Sequence, residues 1–465
     1  MARDHRHHPV LDHLGNGGRR RCRTVLCRLG IVGRAVAVRY LLLGASLRGL
    51  DSVANTVASE GHDLVLFDQE TTIEPPAGPG TVTVVEPPWT ADYLSGVDRV
   101  VTSPWFSAIE PPLSDAINEG IDVITEAGFG LEHLTIDYAA VTGTNGKTTV
   151  TEVATAMLSA SGVHAIAVGN IGTPVSGLTD DDADVAVLEL SSYQLLFMGA
   201  FKPKAAALLN IAQDHLDWHG TVEAYIAAKA AIFAGMDEDG VLAYNVDDPI
   251  VVEAVEAAPC SLVPCSGISL PQDGNGVDGS DIVIGGHRYN TTTTDPSYRF
   301  NLVAAATIAM AVGATRSGVA EVLETFTQGA HRRQVVAVVD GVTWVDDSKA
   351  TNPHATVAAA GAFTDVILLA GGQNKDLDLS ILTDLPSVHT LIAFGEAGPQ
   401  IAALAQHGVI VEATLASAVA KAAEIATDGD TVLLAPGCAS FDEFTSYAHR
   451  GDVFTSLVRA LRHGP

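Results

Sequence analysis

The strongest constraint on what this chain can fold into is the stretch Ala139-Ala-Val-Thr-Gly143-Thr-Asn-Gly146-Lys147-Thr148-Thr149. An apolar strand runs into a loop with two glycines, and a helix opens on Thr-Thr-Val-Thr-Glu. In such a joint the backbone N–H groups from Gly143 to Thr149, the helix N-terminus and Lys147 converge on a polyphosphate, and the Thr148 hydroxyl can ligate Mg²⁺. The spacing Gly-x-x-Gly-Lys-Thr-Thr is shorter at the front than the commonest phosphate loop. A chance match is therefore the bland alternative, and the strand-loop-helix setting is what favours ATP over it.

The same alternation extends along the chain. Tyr40–Gly44 is a short apolar run ending in glycine, a helix-compatible stretch follows through Ser59, and Asp63–Asp68 is a second apolar run ending in an acid. This is strand, turn, helix, strand, the opening of a parallel sheet. Asp68, with Gln69 beside it, stands where a dinucleotide-type unit places its ribose acid, although a helix cap or surface acid reads equally from the residues. Gly44-Ala-Ser46-Leu-Arg-Gly49 has too few glycines for a nucleotide fingerprint by itself. Glu74–Gly80 reads as a loop, Val97–Thr102 and Val123–Thr125 as strands, Tyr225–Phe233 and Leu302–Val312 as helices, and Asp273–Gly286 as a hairpin or surface insertion. At 465 residues the chain is long enough for about three domains. The expected fold class is α/β in three domains: a Rossmann-like unit at 38–135, a central P-loop ATPase-like parallel sheet at 136–329, and a Rossmann-like unit at 330–465.

Charge separates a different segment. Residues 1–37 hold eight arginines against Asp4 and Asp12, a net +6, while 38–465 carry a net −35. The basic stretch reads as a disordered extension or a start placed too early, or else as a targeting arm; arginines break its apolar run, which argues against a secretory signal. The acidic body excludes a general binder of nucleic acid or of anionic membrane, and no apolar run of 18 residues predicts a membrane span. Five cysteines (22, 27, 260, 265, 438) form no even framework and no Cys-x-x-Cys, which suits free thiols in a reducing cytoplasm. Cys260 and Cys265 could pair, but packed thiols are the plainer reading.

Further acids and bases stand where chemistry needs them. Glu189 follows four apolar residues at the end of the strand-like run Val185–Leu188. A buried carboxylate there calls for a counter-charge, either Mg²⁺ or an ion pair. Asn210-Ile-Ala-Gln-Asp214-His215 repeats the pattern, with His215 a candidate second metal ligand oriented by Asp214, or an ordinary histidine. Only seven lysines occur (147, 202, 204, 229, 349, 375, 421), so Lys229, Lys349 and Lys375 ask for explanations that a solvated surface does not supply.

Taken in order, Thr142-Gly-Thr-Asn-Gly-Lys-Thr-Thr149, Gly169-Asn170-Ile-Gly172, Glu189-Leu-Ser-Ser192, Asn210 to His215, Tyr225 to Lys229, His331-Arg332, Asp346-Asp-Ser-Lys349-Ala-Thr351-Asn352 and Ala435-Pro-Gly-Cys-Ala-Ser440-Phe-Asp442 resemble the Mur ligases of peptidoglycan synthesis. Asp-Ser-Lys-Ala-Thr-Asn is similar to the branch that adds D-glutamate. The resemblance covers about 40–465 and implies an ATP-dependent acid–amino-acid ligase. In it the carboxylate of UDP-N-acetylmuramoyl-L-alanine is phosphorylated and D-glutamate attacks the acyl phosphate. It implies catalytic roles for Lys147, His215, Lys229 and Lys349, and ATP contacts from the loop 143–149, Asn301, His331, Arg332 and Asp347. Two Mg²⁺ sites would use Thr148, Glu189, His215 and a carbamylated Lys229. The UDP-sugar would meet Gly44, Ser46, Asp68, Gln69, Asn170 and His215, and D-glutamate would meet Lys349, Thr351, Lys375, Ser440 and Tyr447. A cytoplasmic monomer is implied. The chain departs from the family pattern in the loop 44–49, at Ser103-Pro104-Trp105 where Ser-Pro-Gly is usual, and at Ala304 in place of a second asparagine. A paralogue with another UDP-peptide or amino acid, and a non-catalytic nucleotide-binding regulator, are the alternatives.

Overall fold

A computed structural model describes residues 37–46, 49–69 and 73–461, apart from the side chain of Asp217. The basic segment, save its last residue, lies outside the described residues. The fold is mixed α/β, built on three sheets that are wholly or mostly parallel and one small antiparallel sheet.

The first sheet contains β1 (Arg39–Leu43), β2 (Asp63–Phe67), β3 (Val82–Val85), β4 (Arg99–Thr102) and β5 (Asp122–Thr125) in the order 3-2-1-4-5. All its pairings are parallel. Leu41, Leu42 and Leu43 are fully buried, so β1 has no solvent face and reads as a continuous apolar run rather than an alternating one. The strand order reverses between β1 and β4, which opens a crevice at their carboxyl ends.

The second sheet holds β6 (Asp137–Thr142), β7 (Ala165–Gly169), β8 (Val185–Glu189), β9 (Ala205–Leu208), β10 (Val241–Asn245) and β11 (Ser261–Cys265), ordered 11-10-9-6-8-7 and all parallel. The helices Lys147–Ala160 and Pro296–Ala311 share one apolar cluster on one face, where Val150, Met157, Leu302 and Ile308 are fully buried. The strands Gly276–Asp278, Asp281–Ile284 and His287–Tyr289 form the small antiparallel sheet β12–β14, where the Gly- and Asp-rich stretch reads as a hairpin or surface insertion.

The third sheet contains β15 (Gln334–Val339), β16 (Val342–Asp346), β17 (Val366–Gly371), β18 (Val388–Phe394), β19 (Ile410–Glu412) and β20 (Thr431–Gly437), ordered 15-16-20-17-18-19. Only the edge strand β15 is antiparallel to its neighbour.

Two helices start earlier than hydrophobic periodicity suggests. The predicted helix at Leu302 begins at Pro296, because Asp295 accepts from the N–H groups of Ser297 and Tyr298 and proline suits the first turn. The helix carrying Lys229 runs Val222–Ala230, capped by Thr221, and tightens into a 3₁₀ turn over Ala231–Phe233. Cys260, Cys265 and Cys438 are free thiols, so the possible 260–265 pair is not formed. Among the described residues, no helix is long and apolar enough to cross a membrane.

Candidate active site

β6 ends at Thr142 and delivers the glycine loop to the carboxyl edge of the second sheet. Gly146 caps the following helix with φ 88°, a left-handed conformation that glycine adopts without a steric cost. A Cβ at this position would sit 2.6 Å from Asn301 Oδ1, so a larger residue would also have to displace that side chain. Asn145 N–H donates to Asn210 Oδ1 at 2.8 Å, and Asn210 returns a bond to the Asn145 carbonyl at 3.0 Å. The loop is thereby held by the segment that follows β9.

Two ammonium groups share this loop. Lys147 Nζ donates to the carbonyls of Gly143 at 2.8 Å and Thr144 at 3.0 Å, and Lys229 Nζ donates to the same Gly143 carbonyl at 2.8 Å. Lys229 is 2% exposed and its ammonium lies 4.6 Å from the Tyr225 ring centre. Burial, then the neighbouring Lys147, holds it well below the usual lysine value, with Asp214 opposing. Lys147 is lowered too, chiefly by burial, against the pull of Glu189 and Asp214. The Tyr225 hydroxyl meets Thr144 Oγ1 at 3.0 Å, fixing the lysine's helix to the loop.

Glu189 ends the fully buried β8. Asn170 Nδ2 donates to its Oε1 at 2.8 Å, whereas Oε2 is buried with no hydrogen-bond partner. His215 has φ 55° and lies 3.6 Å from the buried Asp214 and 5.0 Å, centre to centre, from the Tyr193 ring. Among the described residues, no three His, Cys, Asp or Glu side chains cluster as a ready metal site. A cation here would therefore draw part of its coordination from a phosphate or water, as Mg²⁺ ordinarily does.

The third sheet contributes the opposite wall. Asn352 Nδ2 donates to Asn145 Oδ1 at 3.0 Å, joining the Asp-Ser-Lys-Ala-Thr-Asn segment to the glycine loop. Lys349 Nζ lies 3.9 Å from the Tyr447 ring centre. Its pKa is lowered by burial first and then by Arg332, while Glu189 and Glu152 act against this. The Thr351 N–H donates to the Lys349 carbonyl at 2.8 Å, and His331 Nδ1 meets Asp346 at 2.7 Å. Asp347 is buried and pushed up to about 6, mainly by desolvation, with Arg333 and Arg332 opposing. Lys375 and the buried Ser440 lie on two loops paired through Gln373 and Ala439, whose backbones exchange bonds at 2.9 and 3.0 Å.

Of the residues expected at the sugar nucleotide, Gly44, Ser46, Asp68 and Gln69 form a separate group, whereas Asn170 and His215 lie beside Glu189 and Asp214. Ser46 N–H and Oγ donate to Asp68 Oδ2 at 2.8 and 2.5 Å, Gly44 N–H donates to the Phe67 carbonyl at 2.9 Å, and Gln69 is exposed beside them. A cavity of about 740 Å³ lies between Ser46 and Asn55 on one side and Thr173 and Gly177 on the other. On the far side of the crevice, Ser107 Oγ donates to the Trp218 carbonyl at 3.4 Å, so the loop after β4 reaches the His215 segment.

Sequence reasoning passed over several residues that hold this arrangement. Arg450 is fully buried and donates to Ser348 Oγ at 3.0 Å, to the Ser348 carbonyl at 3.0 Å and to the carbonyls of Cys438 and Ala439 at 3.1 Å. It ties the Lys349 segment to the Ser440 segment, and burial lowers its pKa to about 10. Arg333 was passed over in the same way, and Asp346 and Tyr225 stood inside quoted motifs without a role of their own. The advance signal for the two arginines was only a charged residue at a position whose neighbours pack inward.

Comparison with known proteins adds an independent line. Residues 141–278 match the Mur ligase middle domain, and 331–438 match the Mur ligase, glutamate ligase domain. A UDP-N-acetylmuramoylalanine–D-glutamate ligase of Frankia casuarinae is 38% identical, over 93% of this chain and 93% of its own. The enzyme of that name from Thermobifida fusca is 36% identical over 96% and 99%. The structure of the MurF ligase of Thermotoga maritima in complex with ADP superposes with a TM-score of 0.55 at 18% identity, over 79% of this chain and 90% of that one.

Proposed function

The chain belongs to the Mur ligases, and from that premise we propose that its cleft joins D-glutamate to UDP-N-acetylmuramoyl-L-alanine at the expense of ATP, in the synthesis of peptidoglycan precursors. It is an ATP-dependent ligase of the acid–amino-acid type. The observation that carries the assignment of residues is the convergence of Lys147, Lys229, Glu189 and Asp214 at one loop, with Lys349 and Arg332 close enough to act on Lys147.

The reaction brings a triphosphate, a carboxylate and a dicarboxylic amino acid together, and their mutual repulsion is the main obstacle. The loop 143–149 and Lys147 would take the triphosphate, with Asn301, His331, Arg332 and Asp347 around the rest of ATP. The substrate carboxylate oxygen attacks the γ-phosphorus, and ADP leaves. The amine of D-glutamate then attacks the acyl carbon, losing a proton, and the phosphate departs with the carboxylate oxygen that it captured. Lys349, Thr351, Lys375, Ser440 and Tyr447 would hold the D-glutamate carboxylates while its amine stays free. Gly44, Ser46, Asp68, Gln69, Asn170 and His215 would receive the UDP-sugar. The three large sheets are then three domains, at 38–135, 136–329 and 330–465, one for each substrate. Closing them excludes water from the acyl phosphate.

The residues fit Mg²⁺, because Glu189 buries a carboxylate oxygen that has no hydrogen-bond partner, an arrangement costly without a cation. Thr148 and Glu189 would hold one ion, and His215 with a carbamylated Lys229 a second. When bound, Mg²⁺ supplies positive charge to the transferring phosphoryl oxygens. Burial favours the neutral amine of Lys229. That amine can add to the carbon of CO₂ and release a proton, leaving a carboxylate on Nζ that would be drawn to cations rather than repelled by them. The same reading makes the protein a cytoplasmic monomer.

The deciding experiment measures phosphate release from ATP with UDP-N-acetylmuramoyl-L-alanine, with and without D-glutamate and then with other amino acids. Release that requires D-glutamate and yields the amide is expected. Release with a different amino acid would replace D-glutamate in this account, and no release with any of them would remove the ligase reading.

A further inference from the structure

Arg333 follows the expected ATP residues His331 and Arg332, and its guanidinium meets another of them, Asp347. Its guanidinium bridges two acids from different parts of the chain. Nη1 pairs with Asp295, and Nε lies 3.7 Å from Asp347. Side-chain exposure is 10% for Arg333, 13% for Asp295 and 10% for Asp347, so water screens the cluster poorly. The guanidinium carbon also sits 5.5 Å from the Tyr298 ring centre, a distance suited to cation–π attraction. Arg333 itself has φ 48°, and His331 φ 57°. Left-handed backbone at a non-glycine residue is uncommon and persists where its surroundings hold it.

The two acids belong to the two walls of the cleft. Asp347 follows β16 in the third sheet, and its backbone N–H donates to the Leu434 carbonyl at 2.8 Å. Asp295 caps the helix Pro296–Ala311 by accepting from Ser297 and Tyr298. That helix carries Asn301, whose amide oxygen lies 2.6 Å from where a Cβ on Gly146 of the glycine loop would stand. A continuous line of contacts therefore runs from Asp347 through Arg333, Asp295 and the helix to the loop.

We propose that Arg333 is a positioning residue for ATP, fixing Asp347 and the Asn301 helix in the mutual geometry that the adenosine end of the nucleotide requires. This rests on the reading that the loop 143–149, Asn301 and Asp347 receive ATP. Arginine suits the task because its planar fork can serve two carboxylates at once, which a lysine ammonium does less well.

The test is direct binding of Mg·ADP to the full chain by calorimetry, with steady-state kinetics alongside, for Arg333→Met, Arg333→Lys and Asp295→Asn. Asparagine caps a helix as well as aspartate does, so Asp295→Asn removes the ion pair while keeping the cap. Arg333→Met should weaken ADP binding roughly tenfold and raise KM for ATP in step, leaving KM for D-glutamate within about twofold. Arg333→Lys should recover part of the loss, and Asp295→Asn should reproduce a roughly threefold, nucleotide-selective share of it. Unchanged ADP affinity in Arg333→Met, or equal losses for ADP and D-glutamate, would overturn the proposal. If Arg333→Met does not fold, Asp295→Asn decides by the same criteria. Wild-type protein that binds no Mg·ADP would instead sink the ATP reading itself, so the two failures are distinguishable.

Discussion

Asp68 and Glu189 occupy matching places in two parallel sheets, yet they are treated in opposite ways. Each lies at the carboxyl end of a buried strand, β2 in one case and β8 in the other, and each is at most 6% exposed. One oxygen of Asp68 receives both the N–H and the hydroxyl of Ser46. Glu189 receives Asn170 on one oxygen, and the other is buried without a hydrogen-bond partner. An acid whose bonds come from its own loop organises that loop, whereas an acid left short of bonds beside two lysines is arranged for an incoming charge. Asp347, just past the end of β16, is a third case: Arg333 and Arg332 attract its charge, yet burial still pushes it up to about 6.

The largest effect is expected at Lys229. Lys229→Ala should lower ligation by about 10³-fold or more, with partial rescue by small carboxylates such as acetate or formate, because the lost group would be an anion rather than an ammonium. Loss without any rescue would return Lys229 to the role of a cation buried beneath the loop.

Glu189→Gln comes next. It keeps the shape and the Asn170 contact but removes the charge, so activity should fall roughly 10²-fold and half-saturation with Mg²⁺ should move to higher concentration. Thermal melting of the same variant should change little, since the buried oxygen without a hydrogen-bond partner loses its charge while Lys147 and Lys349 lose an attracting neighbour. A variant that melts markedly lower while keeping its Mg²⁺ dependence would make Glu189 a structural acid like Asp68.

Asp347 gives a test in pH. Its native value of about 6 lies above the ordinary 3.8, so between those values the native state binds more protons than the unfolded chain. The group's contribution is then favourable below the ordinary value and is lost as pH rises through about 6. The stability of Asp347→Asn relative to wild type should accordingly increase from pH 4 to pH 6 and level off above pH 7. A pH-independent difference, measured by denaturant unfolding, would contradict the burial argument.

The smallest effect belongs to the first sheet. Ser46→Ala should cost about 1 kcal/mol of stability and raise KM for the UDP-sugar a few-fold, with kcat nearly unchanged. A fall in kcat comparable to that of Glu189→Gln would erase the distinction between the two acids.

How much of this could be read in advance follows from the range of the contacts. The glycine loop, β6 and β8 are written in contiguous residues, since apolar runs, glycines and a terminal acid are local signals. Lys349 and Ser440 were also reachable, through motif order. Arg450 and Arg333 were not, because each matters through partners far along the chain, and an arginine in a helix or after a turn is by itself an ordinary surface residue. The altered stretches 44–49 and 103–105 show the reverse. Their departures from the family pattern were plain in the residues, and the structure answers with Ser46 on Asp68, a buried Phe106 and a Trp105 that is 81% exposed.

In the proposed reaction the cleft between the second and third sheets activates a carboxylate by phosphorylation before the amine attacks it. Labelling both carboxylate oxygens of UDP-N-acetylmuramoyl-L-alanine with ¹⁸O and analysing the products by mass spectrometry tests this directly. One labelled oxygen is expected in each phosphate released and one retained in each amide. Phosphate released without label while the amide forms would contradict it.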